Sequence, residues 1–392
     1  MRILMVNDLQ VEGGAEVQHW REYDLLRSKG HEVYSLTFDG NAPLSDGPKF
    51  NIPIQQNDVQ KLVTRALCLG PKKKIHAVLD EIRPDLIHVN NVVKCPLAIY
   101  DSLAKYPCVQ TIRDYGAICP KSTCVHPDYS LCGGIKLADC SLCDLNRTQT
   151  LKSKLMPGIE HARRACVDVF VAPSQALADA CTRNGLKTLC INNPFDFSKL
   201  PERDIDFSGR GFLYYGGISE NKGVGRLLEA FGRFSSVHPG ANLTLAGRVA
   251  PEFMSQLEKA LKEDERIEYL GVLENEEMLR VLSCAYCVVT PSLWIENYPN
   301  TVLEPMAAGV LVIGSNRGGI PELIQNDELL FDVTDTASIA ECMEHAYVLS
   351  EEQYRSITSA GAKRVRENNS LDRFYERLLG VFGCALQCKG RD

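Results

Sequence analysis

Two glutamates and a lysine carry the chemistry most readily read from this chain. Glu296 and Glu304 lie in a stretch bounded by Pro291 and Gly309, between the apolar runs Tyr286 to Thr290 and Val310 to Ile313. That pattern reads as buried strand, loop, short helix, buried strand, with Gly309 as the helix stop. Loops at the carboxyl ends of strands are where open α/β sheets bind ligands. Glu296 has Trp294, Asn297, Tyr298 and Asn300 beside it, side chains suited to a polar ligand. Glu304 has two readings. It is either a ligand to hydroxyl groups or the N3 residue of a capping box with Thr301 as N-cap. Lys222 follows a strand near residues 211–215 and the pair Gly216-Gly217. It is either a phosphate-binding cation or a solvated lysine at a helix start. Near the N-terminus, Gly13 and Gly14 stand between the strand Ile3 to Val6 and a helix reaching about Ser28, where backbone can approach an anion at a helix N-terminus. Their spacing does not match the dinucleotide fingerprint.

The glutamate pair, with seven residues between its members, resembles the two-glutamate motif of retaining glycosyltransferases of family 4. The resemblance implies the GT-B fold: α/β, two Rossmann-like doubly wound domains with the active site in the cleft between them. It also implies roles. Glu296 would contact the donor sugar and Glu304 the ribose hydroxyls, with the backbone of Asn300, Thr301, Val302 and Leu303 facing the diphosphate. Gly13, Gly14 and Glu16 resemble the same family's glycine loop, which lines the donor and acceptor cleft. The two glycines are expected on the donor, and Glu16 with Asp114 on the acceptor. Lys222 matches the lysine of the family's diphosphate clamp, whereas Gly217 occupies the place of its arginine, five positions earlier. Arg248 or Arg113 would then compensate. Gly318-Gly319-Ile320-Pro321-Glu322 also looks like the family, with Pro321 at the first turn of a helix.

Arg113 marks a departure. It ends the strand Cys108 to Ile112, where members of the family often carry a histidine that contacts the donor sugar. A guanidinium does not serve as a base at neutral pH but binds phosphate or carboxylate bidentately. Arg113 is therefore placed with Glu296 and Lys222 in the expected catalytic set, and it fits an acidic sugar or acidic acceptor. His88, inside an apolar strand, reads as a core histidine.

Five of the sixteen cysteines, Cys119, Cys124, Cys132, Cys140 and Cys143, fall in one segment with His126. The segment has no helix or strand period and reads as a loop. Cys140 and Cys143 have the two-residue spacing of zinc sites. Two thiolates from Cys119, Cys124 and Cys132, or His126 in place of one, would complete a tetrahedron. The alternatives are reduced thiols and disulfides. No cofactor is expected to be required for catalysis.

The elements that must position these groups follow from βα alternation, which implies parallel sheets. An N-terminal acceptor domain is expected over 1–195, with the cysteine loop at 119–143. A nucleotide-sugar donor domain is expected over 196–370. The C-terminal helix, 371–392, is expected to pack back on the N-terminal domain, as the resemblance implies. A length of 392 residues accommodates two such cores. The net charge of −7 and a pI near 5.7 argue against nucleic acid as a partner. No signal peptide or membrane-length apolar run is read. The expected location is cytoplasmic, with peripheral contact at the inner membrane face a further option carried by Lys72, Lys73 and Lys74. The partners expected are a nucleotide-diphosphate sugar and a glycan or lipid-linked acceptor, for polysaccharide or cell-envelope glycan synthesis. Two rival functions stay open: a sugar-nucleotide epimerase on the same fold, and a non-catalytic nucleotide-sugar binding subunit.

Overall fold

A computed structural model describes residues 1–8, 14–38, 48–53, 69–92, 96–132, 140, 143–200, 203, 207 and 209–389. The expected role of Gly13 lies outside them. The chain divides into two compact units. The first is Met1–Pro127, Leu131–Pro194 and Leu371–Asp392; the second is Asp128–Ser130 and Phe195–Ser370.

The first unit is built on seven strands: β1 (Arg2–Val6), β2 (Glu32–Thr37), β3 (Lys49–Asn51), β4 (Leu86–Val89), β5 (Cys108–Thr111), β6 (Val169–Ala172) and β7 (Thr188–Cys190). Their order is β3-β2-β1-β4-β5-β6-β7 and all pairs are parallel. The central strands β4 and β5 are buried along their whole length because helices cover both faces. The described helices are α1 (Gly14–Ser28), α2 (Leu69–Ile82), α3 (Pro96–Leu103), α4 (Arg147–Cys166) and α5 (Gln175–Arg183). Ser174 caps α5 through Leu177 N–H, and Gly185 (φ +82°) follows its end. α4 contains Pro157, yet a full capping box of Asn146 and Gln149 starts it.

The C-terminal helix of the chain (Leu371–Lys389) belongs to this unit. Phe374, Leu378, Val381, Phe382 and Ala385 form one apolar stripe and join a core with Trp20, Tyr23 and Leu26 of α1. Phe382 is fully buried, so truncation to alanine is expected to cost about 3–5 kcal/mol.

The second unit repeats the plan. Its strands are β8 (Phe212–Tyr215), β9 (Leu243–Ala246), β10 (Ile267–Tyr269), β11 (Cys287–Thr290), β12 (Leu311–Ser315) and β13 (Leu330–Phe331). They run β10-β9-β8-β11-β12-β13, again all parallel. The helices are α6 (Val224–Val237), α7 (Met254–Glu263), α8 (Asn275–Cys284), α9 (Asn300–Ala307), α10 (Ile320–Ile324), α11 (Thr336–Val348) and α12 (Glu351–Asn369); the C-terminal helix is α13. In each sheet the strand order reverses direction at one crevice, between β1 and β4 and between β8 and β11. Those switch points are where doubly wound sheets open a ligand site.

Candidate active site

The switch point of the second unit gathers three loops. The loop after β8 carries Lys222, the loop after β11 carries Glu296, and the loop after β12 carries Gly318 and Gly319. Backbone contacts fix them together. Leu293 and Trp294 N–H both donate to the Asn221 carbonyl, at 3.1 and 3.3 Å, and Gly319 N–H donates to the Glu296 carbonyl at 2.8 Å. Glycine is required at two of the crossings. Gly223 has φ +72°, and a Cβ there would lie 1.7 Å from the Pro291 carbonyl oxygen; at Gly318 (φ +59°) it would lie 2.1 Å from that of Glu296.

On this frame, Lys222 Nζ lies 2.6 Å from Glu296 Oε1 and 4.4 Å from the centre of the Trp294 ring. The same carboxylate oxygen accepts from Trp294 Nε1 at 2.7 Å and from Ser292 Oγ at 2.8 Å. Burial alone would raise the Glu296 carboxyl. The Lys222 charge and the hydrogen bonds from Lys222, Trp294 and Ser292 outweigh it and hold the carboxyl below the usual range. Glu296 is thus a fixed carboxylate and Lys222 a cation stacked on an indole. The side chains are 15% and 28% exposed, so both remain reachable.

Glu304 stands one helix away and is held by Tyr215, whose hydroxyl donates to Oε2 at 3.2 Å. Burial first, then the charge and hydrogen bond of Glu304, push the Tyr215 phenol well up, so it stays a donor. The capping-box reading of Glu304 is not what the chain does. α9 starts at Asn300 with Pro299 as N-cap and no side-chain cap, which puts Thr301 inside the helix and Glu304 beyond its N3 position. Proline wins the cap because its fixed φ suits the entry and its carbonyl is free to accept. That carbonyl takes the N–H groups of both Val302 and Leu303, at 3.0 and 3.1 Å. The expectation that Val302 offers its amide to a diphosphate is therefore corrected. Pro299 does not take up the Thr301 amide. A Cβ at Gly216 (φ +129°) would touch Thr301 Cγ2 at 3.7 Å, so this turn sits against the β8 loop. Gly217 faces open space, with nothing within 4 Å of a Cβ there. Ile218 N–H donates to the Arg248 carbonyl at 2.8 Å, which brings the exposed Arg248 beside the position that lacks the family's arginine.

The first unit has a different constellation at its own switch point. Arg113 donates from Nε to Asn90 Oδ1 at 3.0 Å and from NH1 to Asn193 Oδ1 at 2.9 Å, and its NH2 pairs with Glu22 Oε1. The Arg113 and Glu22 side chains are 4% and 0% exposed. Burial raises the Glu22 carboxyl, with the Arg113 charge and hydrogen bonds pulling back against it. His88 bonds Thr111 Oγ1 through Nε2 at 2.8 Å, while its Nδ1 faces Glu22 Oε2 at 3.8 Å, both atoms otherwise unpartnered. Burial, then the Arg113 charge, lowers His88 to about 3, so it is neutral, and His19 is lowered to about 3 for the same reasons. The reading of His88 as a core histidine holds for one ring nitrogen.

Beside this network a cavity opens between the strand ends and α4. It is lined by Asn91, Ile112 and Asp114 on one side and Leu151, Lys152 and Leu155 on the other. The Asp114 carboxylate accepts Gly116 N–H at 2.7 Å and caps the short helical turn Tyr115–Ala117. Glu16, expected with Asp114 on an acceptor, is buried in the first turn of α1 at 5% exposure, whereas Gly14 is exposed. Sequence reasoning missed Ser292, Tyr215 and Glu22. Tyr215 carried a signal, as the last residue of the strand before Gly216; Glu22, mid-helix, carried none.

Two family models match nearly end to end. Glycosyltransferase Family 4 matches residues 12–199, and Glycosyl transferases group 1 matches residues 202–364. The chain belongs to this glycosyltransferase family. An uncharacterized 42.6 kDa protein of the cps region of Klebsiella pneumoniae is 23% identical, over 86% of this chain and 92% of that one. The N-acetyl-alpha-D-glucosaminyl L-malate synthase of Bacillus anthracis is 25% identical, over 81% and 80%. Among solved structures, sucrose-phosphate synthase of Thermosynechococcus elongatus has a TM-score of 0.74 at 16% identity, covering 97% of this chain and 98% of its own. Anabaena HepE in complex with UDP has a TM-score of 0.72 at 16% identity, covering 98% and 100%. The family 4 fold is thus GT-B, as the resemblance implied. No described helix of this glycosyltransferase is long and apolar enough to cross a membrane.

Proposed function

We propose that this glycosyltransferase is retaining and metal-independent, transferring a sugar from a nucleotide-diphosphate donor to a glycan or lipid-linked acceptor in polysaccharide or cell-envelope glycan synthesis. The observation that carries the reading is the half-open cluster of Lys222, Glu296, Trp294 and Ser292 at the switch point of the second unit. It offers a carboxylate for sugar hydroxyls next to a cation for the diphosphate. Glu304, held by Tyr215, takes the ribose hydroxyls. The solved HepE structures contain UDP and UDP-glucose, which supports a nucleotide sugar as the donor class.

In the reaction the bond from the anomeric carbon to the diphosphate oxygen breaks, and a bond to the acceptor oxygen forms on the same face. The departing diphosphate takes the acceptor proton, so no general base is assigned. Charge grows on the leaving group. Lys222, the Thr301 amide, Arg248 and the N-terminus of α6 just after Lys222 stabilise it, which supplies from protein the charge a metal would otherwise provide. Arg113 leaves the catalytic set in this reading because its guanidinium is committed to Glu22, Asn90 and Asn193. The acceptor lies in the first unit's cavity, with Asp114 at its polar end and Leu151 and Leu155 along an apolar wall.

The test is a thermal-shift screen over nucleotide sugars, followed by transfer with the stabilising donor. A product with the donor's anomeric configuration, formed at a rate that added Mg²⁺ or Mn²⁺ leaves unchanged, is expected. An inverted product rejects the retaining assignment. An altered sugar nucleotide formed without acceptor makes the chain an epimerase, and donor binding without turnover across acceptors makes it a binding subunit.

A further inference from the structure

We propose that the cavity of the first unit is an anion site for an amphiphile, with Arg163 taking a carboxylate or phosphate and the apolar side of α4 taking the body that carries it. The inference rests on the reading that the acceptor lies in this cavity, and it assigns that acceptor to a class, hydroxylated organic anions. The residues lining the cavity include three cations, Arg113, Lys152 and Arg163, and one carboxylate, Asp114. Glu22 already pairs with Arg113, which leaves Lys152 and Arg163 facing Asp114 alone. Arg163 decides the matter. It is only 6% exposed, yet among the described residues no carboxylate pairs with it. Its Nε donates to the Tyr100 hydroxyl at 3.0 Å and its NH1 to the Ala117 carbonyl at 3.4 Å, both neutral acceptors. Its NH2 has no hydrogen-bond partner among the described residues. Asp114 spends a carboxylate oxygen on Gly116 N–H and does not answer it. A charge taken out of water without a counter-charge is costly, and a guanidinium edge matches an oxyanion in shape as well as in sign.

The sequence of α4 supplies the rest of the site. Leu151, Leu155, Ile159 and Arg163 follow one another at intervals of four, so each side chain neighbours the next along the helix. All four line the cavity, and the three apolar ones are only half-buried. An apolar wall about 12 Å long thus leads to the guanidinium. A bare glycan leaves that wall unused, and a neutral lipid leaves Arg163 unanswered. An organic anion with a short apolar body satisfies both, with its hydroxyl at the Asp114 end, where β4 and β5 finish. The cysteine loop meets the cavity through Ser122, whose Oγ accepts from Lys152 Nζ at 3.2 Å. It does not assemble the expected zinc tetrahedron: among the described residues no three His, Cys, Asp or Glu side chains are placed to hold a metal ion.

Calorimetric titration of the full chain without donor tests this, with octanoate, octyl phosphate, 1-octanol, octylamine and inorganic phosphate as probes. The tighter of octanoate and octyl phosphate is expected to bind at least about tenfold more tightly than 1-octanol or octylamine, and it tells which oxyanion the site prefers. Inorganic phosphate, lacking the apolar body, is expected to bind at least about tenfold more weakly than octyl phosphate. Arg163→Gln is expected to abolish the preference for the anions over 1-octanol. Leu155→Asn is expected to weaken every octyl probe and keep that preference. If Arg163→Gln fails to fold, the wild-type comparison and Leu155→Asn still decide. Equal affinity of wild type for octyl anions and 1-octanol, binding of no probe, a preference kept in folded Arg163→Gln, or binding untouched by Leu155→Asn would each overturn the proposal. The acceptor class is read separately, by transfer with the stabilising donor. The octyl anion is expected to compete with the acceptor and not with the donor. Tight binding without that competition would leave an anion site and overturn the acceptor class, whereas absence of transfer with intact anion binding would count against the transferase reading alone.

Discussion

Each unit of this glycosyltransferase places a glutamate against a cation at the switch point of a parallel sheet, and the two pairs have opposite characters. Glu22 and Arg113 are sealed, at 0% and 4% exposure. The guanidinium donates to the protein acceptors Glu22, Asn90 and Asn193. Glu296 and Lys222 are 15% and 28% exposed, and the lysine keeps its remaining N–H groups for an incoming ligand. A sealed ion pair is a structural commitment: breaking it strands a buried charge. A half-open pair stores a charge that a ligand can recruit. The difference teaches which of two similar ion pairs to place in the chemistry, and exposure decides it.

The largest expected effect breaks the sealed pair. Arg113→Ala leaves Glu22 buried without its partner and is expected to cost about 3–5 kcal/mol of stability in urea unfolding. A variant as stable as wild type that instead loses turnover would put Arg113 back in the active site. Lys222→Ala is expected to do the reverse. Its stability should stay within about 1 kcal/mol of wild type, while turnover at saturating substrate falls roughly 10²–10³-fold, the usual cost of losing one group that stabilises developing charge. Unchanged turnover would remove Lys222 from the mechanism. Glu304→Gln comes next, with a loss of about 1.5–3 kcal/mol in affinity for the bare nucleotide diphosphate, read by calorimetry.

Much of the second unit's site was legible in the sequence, because its residues are bound to local pattern. Glu296, Glu304 and Lys222 each follow a strand whose apolar run is unmistakable, and the structure brings Lys222 and Glu296 into contact. The sealed pair was not legible, since Glu22 lies on the buried face of α1, 91 residues from Arg113. Arg113, read alone, looked like a free phosphate ligand; only the fold shows what it already holds. The cap of α9 misled for a local reason. Thr301 and Glu304 have capping-box spacing, but Pro299 two residues earlier takes the position. α4 went unread because Pro157 and Gly158 punctuate it, although Asn146 and Gln149 announced its start.

A smaller effect separates the two carboxylates by sign. Glu296 is held below its ordinary value of 4.5, so its contribution to stability is complete above that pH and is lost as pH falls below it. Glu22 is raised above 4.5 by burial, so its contribution is complete below that pH and declines as pH rises through the folded-state value. Wild type minus Glu296→Gln stability should therefore grow as pH rises from about 3.5 to 7, and wild type minus Glu22→Gln should shrink. Slopes of the same sign in urea titrations would erase the distinction between the pairs.

The most direct test of the open pair's role is calorimetric titration of Glu296→Gln with the nucleotide sugar that stabilises the wild type and with the matching bare nucleotide diphosphate. Glu296 is assigned to the sugar alone. The variant should bind the bare nucleotide as the wild type does and the sugar nucleotide at least about tenfold more weakly, a loss of roughly 1.4 kcal/mol or more. Equal weakening of both ligands, or of neither, would contradict the account.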